Sequence, residues 1–294
     1  MINDLLKYGE VLEDASLEHY NTYGIKTSCK YLVKPSSIDN LLLLLNYIKD
    51  NNMRYYIIGK GSNIILPDTK LDGIIISLEL LNKITFNNNI AKVESGASLA
   101  HFARETINKG LSGLEYIATI PGTVGGALYG NAGVKDHEIY DNIIYVEVIR
   151  NNELIKLNRN DIEVSYRHTE FKNTNDIIVS GTFELKDGNL EEMNNIVKEN
   201  REKRLNTQPL EYKNAGSVFK NPEGNYAGKL VEELGLKGYK IGDAQVSMKH
   251  ANFIVNLGNA TSKDIKELIK LIKDKVYERY NIELELEQIV IDWD

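Results

Sequence analysis

The sequence predicts an α+β protein made of three consecutive segments. Short aliphatic runs typical of buried strands alternate irregularly with amphipathic helical segments, and glycine-rich turns separate many of them. The chain has 294 residues, which at ~150 residues per domain corresponds to about two domains, or to one domain with subdomains. From the order of the elements we expect two mixed lobes at residues 1–80 and 81–188, followed by a third at residues 189–294.

The first segment predicts a βαβ unit. Lys30–Lys34 and Tyr55–Ile58 are rich in residues that favour strands. Between them, Ser36 or Ser37 offers an N-cap for an apolar stretch that ends at Lys49. The pattern therefore indicates a strand, a helix and a second strand.

The second segment predicts strands around one amphipathic helix. Ser98 offers the cap of this helix, and Gly110 ends it. Apolar residues recur on one of its faces, at Leu99, Phe102, Ala103 and Ile107. Strands are expected at Gly73–Leu78, Lys83–Phe86, Ile90–Glu94, Ile143–Arg150, Glu153–Leu157 and Ile177–Leu185.

The third segment predicts a separate lobe. Its clearest element is a helix over Thr261–Tyr280, because Thr261 and Asp264 form a capping-box pattern and the apolar residues that follow keep a 3.6-residue period. The other expected elements are helices at Leu190–Arg204 and Asn225–Leu234 and strands at Asn252–Leu257 and Ile282–Ile291.

Composition excludes several classes of protein. Apolar residues make up 42% and charged residues 26%, the ordinary balance of a globular protein. Lys and Arg number 35 against 42 Asp and Glu, a net charge of 35 − 42 = −7, which disfavours a general nucleic-acid or polybasic membrane binder. Cys29 is the single cysteine and the five histidines are scattered, so we expect no disulfide and no metal.

The amino-terminal residues and the apolar runs predict a cytoplasmic protein. Acidic residues lie near the N-terminus where a signal peptide carries bases, and the longest aliphatic run is Leu41–Leu45. That run is far shorter than the ~20 residues of a membrane span, so no membrane association is expected.

Two glycine-rich motifs could contact an anion or a flat ring. Gly59–Asn63 follows a strand, and its glycines allow backbone N–H groups to approach a ligand, although alone such a motif is more often a hairpin turn. Five glycines fall within residues 122–133, which indicates either the same use or a small-residue helix packed closely on a sheet. Together the two motifs suit a pyrophosphate dinucleotide.

Three further motifs carry polar residues that could act in a cleft. Asn214–Pro222 places a serine after a glycine and before a lysine and an asparagine, and alone it is more often a plain turn. Ser165–His168 could be a strand edge, and Leu284–Gln288 could be a strand with alternate residues in solvent.

The order of these motifs along the chain resembles the UDP-N-acetylenolpyruvoylglucosamine reductase family. The series comprises Gly-Lys-Gly-Ser-Asn, Ile-Pro-Gly-Thr-Val-Gly-Gly with Asn-Ala-Gly, Tyr-Arg, Ala-Gly-Ser-Val-Phe-Lys-Asn-Pro, Lys-His-Ala-Asn-Phe and Leu-Glu-Leu-Glu. The resemblance covers about residues 20–291, and the spacing of Arg167 and Ser217 is similar to that of the family's shorter subgroup.

The resemblance implies a fold and an activity. It implies a two-lobed FAD-binding domain of the vanillyl-alcohol-oxidase type followed by an α+β substrate-binding domain. Members hold FAD non-covalently, take hydride from NADPH and reduce UDP-N-acetylglucosamine-enolpyruvate to UDP-N-acetylmuramate in peptidoglycan precursor synthesis. We therefore expect a small-molecule substrate, no nucleic-acid partner and a monomer.

The resemblance also implies which residues act. Arg167, Ser217 and Glu287 match the family's catalytic residues, while Lys220 and Asn221 match the substrate side. The positions that match FAD contacts are Gly59, Lys60, Gly61, Ser62, Asn63, Ile64, Pro121, Gly122, Thr123, Gly125, Gly126, Asn131, Ala132, Gly133 and Val179.

These residue types suit the implied reaction. Hydride addition to the enolpyruvyl group pushes charge into an enolate, which a fixed cation such as Arg167 stabilises. Glu287 can assist only when it is protonated, which requires that it face the cleft while Glu285 does not. Ser217 is the expected donor of the proton that the substrate carbon then takes.

Two other functions are compatible with the same residues. A flavoenzyme of this fold could instead oxidise a sugar or a hydroxy acid, and it would be reduced by that substrate rather than by NADPH. A non-enzymatic nucleotide-binding module would leave Arg167, Ser217 and Glu287 without a common role.

Overall fold

The computed structural model describes residues 2–134 and 136–292, which divide into two compact units. Unit 1 comprises the chain up to Glu13, Tyr31–Lys60 and Gly73–Arg201. Unit 2 comprises Asp14–Lys30, Gly61–Asp72 and the chain from Glu202 onward. The predicted boundaries of three lobes, after residues 80 and 188, stay a prediction.

The helices differ widely in length. The α-helices are α1 Ile2–Leu5, α2 Ile38–Asp50, α3 Leu99–Asn108, α4 Val124–Gly130, α5 Leu190–Thr207, α6 Ala227–Glu233 and α7 Ser262–Tyr280. Short 3₁₀ helices lie at Glu18–Tyr20, Glu115–Thr119, Ile139–Asn142, Arg159–Asp161 and Glu170–Lys172. Over the described residues, no helix has both the length and the apolar character that crossing a membrane requires.

The strands fall into several small sheets. They are β1 Gly9–Ser16, β2 Ser28–Pro35, β3 Tyr55–Ile58, β4 Ile64–Ile65, β5 Leu71–Ser77, β6 Ile84–Asn87, β7 Ile90–Glu94, β8 Leu111–Ser112, β9 Gly133–Val134, β10 His137–Glu138, β11 Ile143–Arg150, β12 Glu153–Asn158, β13 Val164–Ser165, β14 His168–Thr169, β15 Ile177–Glu184, β16 Lys186–Asp187, β17 Lys240–Ile241, β18 Ala244–Val246, β19 Ile254–Asn256 and β20 Ile289–Val290.

Unit 1 contains the larger sheets. The antiparallel sheet β12-β11-β15-β7-β6 packs one face against α3 and α4, around a buried cluster that includes Phe102, Leu128 and Phe183. The four-stranded sheet β1-β2-β5-β3, in which β3 and β5 are parallel, packs against α2 around Leu41, Leu44 and Ile76. The first of these clusters also contains Val124 and Ala127, so it holds the helix α4 that carries the second glycine-rich motif.

Unit 2 is built on one helix and a small sheet. The antiparallel sheet β17-β18-β19 packs against α7, whose Ile265, Leu268 and Ile272 are buried. Strand β4 pairs in parallel with β20, so residues 64–65 and 289–290 are neighbours although they are far apart in sequence. This pairing brings the first glycine motif beside the carboxyl-terminal segment.

Most of the predicted elements are confirmed, because local capping and periodicity define them. Ser37 accepts a hydrogen bond from Asn40 N at the start of α2. Thr261 and Asp264 form the expected capping box on α7. Strands β3, β7 and β11 have the predicted bounds.

One predicted strand is wrong, and one helix was left open by the sequence. Ile282–Ile291 does not form a continuous strand: only Ile289–Val290 pairs in a ladder, and Leu286 makes an isolated bridge with Phe219. The glycine-rich stretch contains the short helix α4, which was one of its two interpretations. No group of His, Cys, Asp and Glu within residues 2–134 and 136–292 could hold a metal ion.

Candidate active site

The two glycine motifs meet within unit 1 through Gly59 and Thr123. A Cβ built on Gly59 would lie 2.6 Å from Thr123 Oγ1, so the backbone at Gly59 rests directly on that side chain. Thr123 is the N-cap of α4 and accepts a hydrogen bond from Gly126 N. Lys60, the next residue, is exposed and donates from Nζ to Ser98 Oγ at 3.5 Å.

The glycines of α4 serve different purposes. A Cβ on Gly125 would lie 2.7 Å from Ser95 Cβ, so close packing on the end of β7 requires this glycine. A Cβ on Gly126 would meet only Thr123 Oγ1, at 3.5 Å, and one on Gly130 would meet nothing within 4 Å. The packing interpretation therefore explains Gly125 but not Gly126 or Gly130.

Asn131 ends α4 with a buried acceptor for which the described residues provide no hydrogen-bond donor. It adopts a left-handed conformation with φ of 45° and is fully buried. Its Nδ2 donates to Glu138 Oε2 at 2.6 Å and to Ser165 O at 2.9 Å, which fixes the orientation of the amide. Its Oδ1 then has no hydrogen-bond partner among the described residues, so it is available to a donor from a ligand.

Arg167 lies against the end of the same glycine-rich stretch. Its guanidinium donates to Gly133 O at 2.7 Å and to Asn131 O at 3.4 Å. Its backbone has φ of 54°, an uncommon conformation for a residue with a side chain, and its carbonyl accepts from Lys172 Nζ. The structure thus brings Arg167 together with Asn131 and Gly133.

The remaining predicted residues of unit 1 occupy backbone positions. Gly122 O accepts from Leu99 N, and Ala132 both donates to Ala127 O and accepts from Ile139 N. Pro121 is exposed before this turn. Val179 is fully buried in β15, where its carbonyl accepts from Ser95 N.

Two tyrosines, Tyr129 of α4 and Tyr56 of β3, stay neutral near pH 7. Burial raises the pKa of Tyr129. Burial, with a smaller contribution from Tyr129, raises the pKa of Tyr56 to about 12. These phenols can donate hydrogen bonds there without adding charge.

In unit 2, Gly61 is required by the local backbone. Its φ is 63°, and a Cβ would lie 2.0 Å from Tyr20 O. Asn63 holds the carboxyl-terminal segment, because its Nδ2 donates to Glu287 O at 3.0 Å and its carbonyl accepts from Ile289 N. Ser62 O lies 3.9 Å from the position of a Cβ on Gly216, and Ile64 starts β4.

The Ser217 turn is held by a residue to which sequence reasoning assigned no role. Both amide atoms of Asn252 pair with the backbone of Phe219, Oδ1 with its N–H at 3.0 Å and Nδ2 with its carbonyl at 2.8 Å. Asn252 O also accepts from Val218 N, and Ser217 forms a bridge with Phe253. In the sequence, Asn252 could have been noticed only as part of the Lys-His-Ala-Asn-Phe motif. The structure shows that this asparagine binds the backbone of Phe219.

Glu285 and Glu287 differ in their surroundings. The Glu285 side chain is 71% exposed and forms an ion pair with Lys220, which is itself largely buried. Glu287 is partly buried, its N–H donates to Val218 O at 2.9 Å, and its carbonyl accepts from Asn63. The backbones of both residues pair with the segment that follows Ser217, Glu287 through Val218 and Glu285 through Lys220, so the two differ in the exposure of their side chains.

The two predicted substrate residues are engaged by the protein. Lys220 pairs with Glu285, as above, and its N–H donates to Glu285 O. Asn221 Oδ1 accepts from Ala227 N and so helps to start α6. Their contact with a substrate stays a prediction.

Known proteins resemble this chain over nearly its whole length. A family model described as the C-terminal domain of UDP-N-acetylenolpyruvoylglucosamine reductase matches residues 208–291, and one described as an FAD binding domain matches residues 29–157. The reductase of that name from Caldicellulosiruptor saccharolyticus is 40% identical over 281 residues, covering 95% of this chain and 91% of the relative. The one from Clostridium novyi is 36% identical, covering 99% and 95%.

The structural comparison gives the same result. The crystal structure of UDP-N-acetylenolpyruvylglucosamine reductase from Thermus caldophilus superposes with a TM-score of 0.79 at 31% identity, covering 96% of this chain and 98% of that one. An alkyldihydroxyacetonephosphate synthase, 16% identical with a TM-score of 0.50, shares the fold over 63% of this chain and 40% of its own. The chain belongs to the UDP-N-acetylenolpyruvoylglucosamine reductase family.

Proposed function

We propose that this protein reduces UDP-N-acetylglucosamine-enolpyruvate to UDP-N-acetylmuramate with NADPH, through non-covalent FAD, in the synthesis of peptidoglycan precursors. The observation that carries the proposal is the full-length similarity to reductases of that name, 40% identical over 95% of the chain. The match of residues 29–157 to an FAD binding domain supports the cofactor.

Features of unit 1 fit a flavin. Asn131 Oδ1 is a buried acceptor without a partner in residues 2–134 and 136–292, and it suits the imide N–H of an isoalloxazine ring. The surface at Gly126 is open, so a flat or anionic group can approach the backbone there. The glycine turn at Gly59 and the stretch Pro121–Gly133 would hold the cofactor, which when bound accepts hydride from NADPH and passes it to the substrate.

The protein supplies charge stabilisation and a proton. Arg167 stabilises the enolate oxygens that form when hydride reaches the enolpyruvyl group, and its bonds to Asn131 O and Gly133 O fix the guanidinium beforehand. Glu287 in its neutral form donates a hydrogen bond to the same charge. Ser217 delivers the proton to the carbon that bears the oxygen, directly or through a relay.

The proposal includes a small-molecule substrate and no nucleic-acid partner. The net charge of −7 disfavours binding to a polyanion, whereas single Arg and Lys residues with backbone N–H groups suffice for a nucleotide sugar. The protein is proposed to act as a monomer. We also propose that it acts in the cytoplasm, where NADPH and nucleotide sugars occur.

The test follows the two half-reactions separately. Purified protein should be yellow, lose its flavin absorbance with NADPH under anaerobic conditions, and recover it when UDP-N-acetylglucosamine-enolpyruvate is added. Reduction by a sugar or a hydroxy acid in place of NADPH would indicate another flavoenzyme of this fold. A purified protein that binds no flavin would refute the proposal.

Ser217→Ala tests the proton donor within the same assay. Loss of a general acid typically costs ~10²–10⁴ in rate, so reoxidation by the enolpyruvyl substrate should slow by that amount. Flavin reduction by NADPH needs no such proton and should keep its rate. Equal slowing of both half-reactions would instead mean that Ser217 binds a ligand common to both.

A further inference from the structure

A buried amide connects the Glu287 segment to the backbone beside Ser217. Gln288 is 3% exposed, and its Nε2 donates to Ala215 O at 3.1 Å and to Gly216 O at 3.3 Å. These carbonyls belong to the two residues directly before Ser217. Gln288 itself directly follows Glu287, so one side chain bridges the two segments that carry the proposed catalytic residues Ser217 and Glu287.

The orientation of this amide is set by Tyr23. The Tyr23 hydroxyl donates to Gln288 Oε1 at 3.0 Å, and Tyr23 is fully buried. Burial raises the pKa of Tyr23, so the hydroxyl keeps its proton and remains a donor. With Oε1 occupied as the acceptor, Nε2 must face the two carbonyls. Asn256 Nδ2 in turn donates to Tyr23 O and anchors this residue.

The backbone directly before Ser217 includes a glycine, so a hydrogen bond from a side chain restricts a flexible segment there. Gly216 has φ of 75°, a conformation open to glycine, and its N–H is bonded to Asn214 Oδ1. Asn252 holds the following residues, Val218 and Phe219, from the other side. The residues on both sides of Ser217 are thus bonded to side-chain amides. Of these two amides, only that of Gln288 belongs to a residue next to Glu287 in the chain.

We propose that Tyr23 and Gln288 form a positioning pair that fixes Ser217 relative to Glu287 for the protonation step. Both side chains are buried, and the pair acts through the backbone of the turn. This inference rests on the proposed function, since it assigns a task to the hydroxyl of Ser217. A displacement of about 1 Å in a catalytic group can cost ~10²-fold in rate, so a small relaxation of the turn is measurable.

Gln288→Met tests the pair, because it keeps the length of the side chain and removes its hydrogen bonds. In FAD-loaded enzyme, reoxidation by the enolpyruvyl substrate should slow by ~10–10²-fold while reduction by NADPH keeps its rate. Tyr23→Phe keeps the Nε2 bonds and should slow reoxidation by less. The double variant should match Gln288→Met, because Tyr23 acts through Gln288.

The control and the backbone readout separate positioning from loss of stability. Ile272→Val removes a core methyl group of α7 in the same unit and should leave both half-reactions unchanged. Hydrogen exchange of the Gly216 and Val218 amides should accelerate in Gln288→Met and not in Ile272→Val, whether or not the enolpyruvyl substrate is the right one. Two results for Gln288→Met would overturn the proposal. One is unchanged hydrogen exchange at Gly216 and Val218, and the other is reoxidation as fast as in a wild-type enzyme that itself reoxidises normally. Wild-type enzyme that fails to reoxidise would instead refute the proposed function, and exchange alone would then decide whether Gln288 holds the turn.

Discussion

Alanine substitutions along α4 should separate glycines that the fold requires from those that a ligand requires. Gly126→Ala is the informative change, because the new Cβ would meet only Thr123 Oγ1, at 3.5 Å, an ordinary contact distance. Gly130→Ala is its matched control on the same helix, with nothing within 4 Å of the new atom. Gly125→Ala is the opposite case, with Ser95 Cβ at 2.7 Å.

The magnitudes follow from helix propensity and from the contacts. Ala in place of Gly in a helix stabilises by roughly 0.5–1 kcal/mol, so Gly126→Ala and Gly130→Ala should raise the unfolding free energy of the flavin-free protein by about that amount. Gly125→Ala should lower it, because overpacking costs about 1–3 kcal/mol. If FAD lies against Gly126 as proposed, the added methyl group should weaken FAD binding at least about tenfold, which corresponds to ~1.4 kcal/mol.

Two measurements check this prediction. Urea denaturation of the flavin-free proteins gives the unfolding free energies, and titration with FAD, followed by the change in flavin fluorescence, gives the affinities. Gly130→Ala should bind FAD like the wild type, so a loss at Gly126 alone locates the contact. Wild-type FAD affinity in a stable Gly126→Ala protein would remove Gly126 from the cofactor site.

Three further predictions concern unit 2. Asn252→Ala leaves the N–H and carbonyl of Phe219 without the partners that Asn252 provides and should lower the unfolding free energy by about 2–6 kcal/mol in urea melts, at ~1–3 kcal/mol for each buried group. Burial lowers the pKa of His250 below its ordinary 6.5, so the unfolded chain binds the proton more tightly. Stability should therefore be retained above about pH 6.5 and fall as the pH drops towards the lowered folded value, and His250→Gln should flatten that slope. Glu287→Gln should reduce turnover far more than Glu285→Gln, whose wild-type side chain is 71% exposed, and equal losses in steady-state assays would refute the assignment.

Local signals in the sequence were sufficient for elements that local physics defines. The capping box at Thr261 and the apolar period that follows it predicted α7 to within a residue of its start. The strand β11 likewise follows directly from an aliphatic run. The family resemblance predicted Arg167, Ser217 and Glu287 as the catalytic residues. It did not predict which residues hold them in position.

The carboxyl-terminal segment shows where periodicity misleads. Glu285 and Glu287 would share a face in a continuous strand, so the sequence pattern alone could not distinguish them. The segment instead makes one isolated bridge at Leu286 and forms a ladder only at β20, which allows the two carboxylates different surroundings. The distinction arises from pairing with Phe219 and with β4, and both partners are distant in sequence.

Around the proposed catalytic turn, side-chain amides make hydrogen bonds to the backbone like those that a neighbouring strand makes in a sheet. Asn252 presents an acceptor and a donor to the N–H and carbonyl of one residue, as a strand would, across 33 positions of sequence. Asn63 reaches the carbonyl of Glu287 across 224 positions, and Gln288 reaches those of Ala215 and Gly216 across 73 and 72. No local pattern encodes such pairings, because any loop asparagine or glutamine looks the same in sequence. Each of these amides bonds to backbone groups of a distant segment. Replacing it by an apolar side chain therefore leaves those backbone groups without that partner. We therefore expect these amides, together with the backbone bridge between Phe219 and Leu286, to set the position of Ser217 relative to Glu287.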